Sequence, residues 1–144
     1  MPDSKVYMKT LIMFNKMEEV EHLESFVEQI CEDLNLDMKL QSQLNLALEE
    51  AVVNVINYAY PAGKDGKIRL HVSSNGVEIC FTLSDAGQPF DPTLVPEADT
   101  TQSVEERPIG GLGIFLIRKI MNEVSYRYKD NQNELTMIKN INIQ

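Results

Sequence analysis

Apolar positions recur along this chain with two different periods. In KVYMKTLIMF, residues 5 to 14, alternation combines with β-branched and aromatic side chains, which predicts a strand. Asn15 with Glu18 three residues on has the form of a capping box. Val20, Leu23, Phe26, Val27, Ile30 and Leu34 then follow helical spacing. Asp37 can cap a second helix that runs to about Tyr58 or Tyr60. The segment from Pro61 to Gly66 has turn composition. KIRLHVS and VEICFTLSD alternate on either side of Ser74-Asn75-Gly76, a hairpin pattern. Asp85 shares the parity of Val77, Ile79, Phe81 and Leu83, so it should point toward the layer packed on the sheet.

Residues 86 to 110 hold four prolines, several acids and little periodicity, and a loop of that length inside a compact domain is usually functional or disordered. GIFLIRKIMNEV resumes helical spacing, and VSYRYKD and ELTMIKNINI finish the chain as two strands. The predicted order is β-α-α-β-β-loop-α-β-β in one domain over residues 1–144, without repeats or linkers. Helices on one face of a mostly antiparallel sheet make this an α+β two-layer sandwich.

Composition narrows the functional classes. With 43% apolar and 24% charged residues the chain is an ordinary globular protein, and no apolar run is long enough for a membrane span. No signal-like apolar stretch opens it, so a cytoplasmic protein without membrane attachment is expected. A net charge of -9 without clustered Lys and Arg argues against direct nucleic-acid binding. Cys31, Cys80, His22 and His71 lack the spacing of a zinc site. An acidic chain can still bind polyphosphate through a metal ion or a helix N-terminus.

Three stretches carry chemistry of that kind. Glu50 and Asn54 are four residues apart on one helix face, with Ala47 and Tyr58 on the same stripe. They read either as a solvated acid and a satisfied core amide, or as a proton acceptor and an oxygen ligand for Mg²⁺. Asp85 at a strand end, followed by Gly87, reads either as an Asx turn or as a ligand acceptor beside a close backbone approach. Gly110, Gly111 and Gly113 precede a helix, which suits either a flexible junction or a phosphate. Two familiar phosphate loops are excluded. Ile114 and Phe115 stand where a P-loop needs Lys and Ser or Thr, and a long loop rather than a strand precedes the glycines.

Together, "EEAVVNVINYAYP", "LSDAGQPFDP" and "GGLGIFLIRKIMNEVSY" resemble the GHKL ATPases. Within them the chain is most similar to the stand-alone anti-sigma factor serine/threonine kinases, and the resemblance covers nearly its whole length. It implies a Bergerat-type fold, ATP and Mg²⁺ as cofactors, Asn54 as the metal ligand and Glu50 as the catalytic base. It also implies that Asp85 accepts a hydrogen bond from the adenine amino group with Gly87 beneath the base. Tyr58 joins the nucleotide-binding set at a place where some relatives carry His. Gly110, Gly111, Leu112 and Gly113 would close on the phosphates below a lid of residues 91–110. Thr136 would be the last nucleotide contact. The implied activity is phosphoryl transfer to a Ser or Thr of a STAS-type anti-sigma factor antagonist, with a sigma factor as the alternative partner and a homodimer as the assembly. The alternative is a non-catalytic ATP-binding module that gates a partner. Three departures stand out: Tyr58 stands where some relatives carry His, Pro89 replaces a frequent second glycine, and Asn133-Glu134 precede the last strand where Gly-Thr is frequent; Arg107 at the lid's end reads either as a solvated arginine or as a contact to phosphate or a partner.

Overall fold

The computed structural model describes residues 6–61, 63–94 and 113–141. Five strands form one antiparallel sheet: β1 (Tyr7–Phe14), β2 (Lys67–Ser74), β3 (Glu78–Asp85), β4 (Glu123–Lys129) and β5 (Gln132–Asn140). Their order across the sheet is β1-β2-β3-β5-β4. Helices α1 (Val20–Asp33), α2 (Met38–Asn54) and α3 (Gly113–Ile120) complete the described elements together with short 3₁₀ and π turns. This is the expected α+β architecture.

Strand alternation decides which face is covered. Met13, Ile68, Leu70, Val72, Ile79, Phe81, Leu83, Leu135 and Met137 point inward and are buried. They meet Leu23, Phe26, Val27 and Ile30 of α1, Leu44, Leu48, Ala51 and Val52 of α2, and Ile114 and Ile117 of α3. The opposite face carries Met8, Ile12 and Phe14, all more than half exposed.

Local chemistry explains the joints. Asp37 caps α2 by accepting from the Leu40 amide at 2.8 Å. Between α1 and α2, Asn35 adopts φ 56°. The Leu36 amide then reaches back to the Cys31 carbonyl at 2.8 Å, a Schellman closure. The capping box expected at Asn15 and Glu18 does not form. A 3₁₀ turn, Met17–Glu19, comes first. The Asn15 side chain instead clamps the turn before β2, accepting from the Gly66 amide and donating to the Lys64 carbonyl, both at 2.8 Å. A residue contacted from 51 positions away cannot be read from local spacing.

Two further boundaries differ from the sequence-based expectation. The α-helical part of α2 stops at Asn54, and Val55–Ala59 form one π turn. Asp130 and Asn131 both have positive φ, 54° and 63°, making a two-residue hairpin turn of the I′ kind. β5 therefore starts at Gln132, earlier than its apolar alternation suggests.

Candidate functional site

The π turn, the end of β3 and the start of β5 meet at one corner of the sandwich. Three buried polar side chains collect there: Asn54 at 4% exposure, Asp85 at 4% and Asn133 at 5%. They line a cavity of about 20 Å³ with Ala51, Leu83, Phe90 and Tyr126 in its walls. That is room for about one water.

Asn54 is at the hinge between the α and π parts of its helix. Its Oδ1 is buried and has no hydrogen-bond partner among the described residues. Leaving such an oxygen unpaired away from water costs about 1–3 kcal/mol. A free, hard amide oxygen on a cavity wall suits a Mg²⁺ ion that keeps waters and phosphate oxygens as its other ligands.

Asp85 forms an Asx turn, accepting from the Gly87 amide at 2.9 Å on Oδ1. The same oxygen accepts from Asn133 Nδ2 at 2.9 Å. The two residues are direct cross-strand neighbours in the β3–β5 ladder. Burial pushes the Asp85 carboxyl up, and the Asn133 amide and Gly87 N–H pull it back.

Gly87 packs against the π turn. A Cβ there would lie 2.3 Å from the Ala59 carbonyl oxygen. The Gln88 amide donates to that same oxygen at 2.7 Å. Tyr60 adds a second tie: its hydroxyl donates to the Lys67 carbonyl at 2.8 Å and accepts from the Ala86 amide at 3.1 Å. Tyr58 stacks on Phe90, with ring centroids 5.0 Å apart. Arg118 of α3 donates to the Thr93 carbonyl at 3.4 Å, joining α3 to the segment beyond Phe90.

The structure thus brings Asn54 and Asp85 to one cavity and sets Tyr58 and Gly87 just behind its walls. Glu50, half-buried one turn before Asn54, is outside the lining. Gly113 is the first residue of α3. Gly110, Gly111, Leu112, Arg107 and lid residues 95–110 lie outside the described residues, whereas 91–94 are described. Thr136 does not join the cluster. It pairs with Thr82 and, with Ser125, Arg127 and Glu134, lines a groove on the face away from the helices. Once β5 begins at Gln132, inward parity falls on Asn133, Leu135 and Met137. Sequence reasoning missed Asn133; the adjacent Asp-Asn pair, both tolerant of positive φ, is the signal that could have found it.

Comparison with known proteins agrees with this fold. The model of the histidine kinase-like ATPase domain matches residues 14–139. The serine/threonine-protein kinase BtrW of Bordetella bronchiseptica is 29% identical over 99 residues, covering 69% of this chain and 70% of that protein. The serine-protein kinase RsbW of Halalkalibacterium halodurans is 32% identical over 100 residues, covering 67% of this chain but 60% of that protein. A solved structure of the RsbU and RsbW domains of a Mycobacterium tuberculosis protein superposes with a TM-score of 0.64 at 11% identity, covering 92% of this chain and 32% of that one. Motifs, fold and family model agree, and this chain belongs to the histidine kinase-like ATPase domain family.

Proposed function

We propose that the protein is an ATP-dependent serine/threonine kinase that phosphorylates an anti-sigma factor antagonist of STAS type and, in its alternative state, sequesters a sigma factor. The observation that carries the nucleotide part is that an amide oxygen without a partner among the described residues, Asn54 Oδ1, shares one cavity with a buried acceptor, Asp85. The kinase part is supported by relatives named serine-protein kinases.

Each residue has a distinct task. Asp85 receives a hydrogen bond from the adenine amino group. Asn54 holds Mg²⁺, which when bound offsets negative charge on the phosphates. Glu50 accepts the proton of the attacking hydroxyl, and Gly110, Gly111, Leu112 and Gly113 offer backbone N–H groups to the phosphates at the start of α3. The lid is the segment 91–110. Catalysis of this kind consists mainly of positioning and charge stabilisation.

The test is transfer of labelled γ-phosphate to purified STAS-domain proteins from the same genome. Glu50→Gln should lower transfer by about 10²–10⁴-fold, the usual contribution of a general base, with ATP binding retained. Undiminished transfer would remove Glu50 from the role of base. One observation favours the non-catalytic alternative: Glu50 does not line the cavity. A wild-type protein that binds ATP but transfers no phosphate to any such partner would decide for that gating module.

A further inference from the structure

We propose that Asn133 is the positioning residue that sets base selectivity at this site, by fixing the Asp85 carboxylate as an acceptor in one orientation. The inference rests on the nucleotide reading of the cavity. It starts from the saturation of the Asn133 amide, which has two hydrogens to give and one oxygen with two lone pairs. Nδ2 donates to Asp85 Oδ1 and to the Gln88 carbonyl, both at 2.9 Å. Oδ1 accepts from the Phe90 amide at 2.9 Å and from the Tyr126 hydroxyl. Turning the amide over would set its oxygen against two acceptors and its amino group against the Phe90 N–H. Asn133 therefore has one orientation, and it dictates that of Asp85.

The consequence falls on the carboxylate. Among the described residues, the hydrogen bonds it receives, from Gly87 and Asn133, both end on Oδ1. Oδ2 is left to the ligand. An ionised oxygen accepts from a 6-amino group and repels a 6-keto group, and burial raises the penalty for the wrong partner. Without Asn133, the carboxyl is free to turn or to take up a proton, and a protonated carboxyl can donate to a keto oxygen. A Thr at this position, with one hydroxyl hydrogen, could not serve Asp85 and Gln88 together.

The experiment measures binding of the magnesium salts of ATP and of inosine triphosphate, which has the 6-keto group, by calorimetry. Wild type, Asn133→Leu and Asn133→Asp are compared. Wild type should prefer ATP by at least about tenfold. Asn133→Leu should weaken ATP by about 10–100-fold while changing inosine triphosphate little, so the ratio contracts. Asn133→Asp is isosteric and keeps the measurement open if the leucine variant fails to fold. Its two adjacent carboxyls share a proton, so inosine triphosphate should gain on ATP. A purely structural role would weaken both nucleotides alike, and an unchanged ratio in the variants overturns the inference. A wild-type protein that binds neither nucleotide overturns the nucleotide reading itself, and this inference with it.

Discussion

Gly87 shows how tightly the corner of the site is built. An added Cβ would stand 2.3 Å from the Ala59 carbonyl oxygen and 2.9 Å from the Ala59 Cβ, and neither neighbour is the end of a flexible side chain. Gly87→Ala should therefore destabilise the fold by about 1–3 kcal/mol, the usual cost of overpacking. Urea denaturation measures it, and a midpoint equal to wild type would show that the π turn yields freely. At this scale the sequence is partly legible. Asn54 and Asp85 can be picked out because polar groups in apolar elements stand against their surroundings. Glu50 is legible as a type of residue, though its distance from the chemistry is not. Asn133 is legible only indirectly, through the Asp130-Asn131 turn before it, because its meaning depends on a partner 48 positions away.

Between elements, the contact of α1 with α2 carries a second electrostatic oddity. Glu49 of α2 shares a hydrogen bond with Glu24 of α1, and burial, that bond and the charges of Glu24 and Glu50 push its carboxyl up to about 7 from 4.5. The folded state thus holds a proton that the unfolded chain has released between pH 4.5 and about 7. The Glu49 contribution to stability falls as pH rises through that window, because there this group binds more protons in the native state than in the unfolded one. Glu49→Gln should show an advantage over wild type that grows from pH 4.5 to about 7 and stays constant above it. Melting both proteins across this range checks the sign; a gap that shrinks with rising pH would contradict it. The element order and the apolar faces are legible because periodicity reports burial directly. The end of α2 and the start of β5 are not, since a π turn and a two-residue hairpin turn leave no periodic trace. Thr136 lies on the outer face because it alternates with the inward Leu135 and Met137, whichever residue begins β5.

For the molecule as a whole, a ligand that binds only the folded state adds stability without changing a contact in the protein. At a concentration about 100 times its Kd, Mg-ATP should contribute about 2.7 kcal/mol. For a domain of this size that is a rise in Tm of about 5–10 °C. Differential scanning fluorimetry with ATP, with and without excess chelator, tests both cofactors together. A Tm indifferent to ATP would contradict nucleotide binding, and a shift unaffected by the chelator would remove the metal role from Asn54. No helix among the described residues is long and apolar enough to cross a membrane.

The Asp85–Asn133 bridge also acts on assembly. β5 is flanked on both sides by strands, and a slip of one residue against β3 would turn its inward set outward. In one direction it would also bring Glu134 opposite Asp85, setting carboxylate against carboxylate at that end of the ladder. The amide that orients a binding group thus doubles as a ruler for strand register. Engineering a new ligand preference at position 133 would therefore also remove the peg that holds two central strands in step.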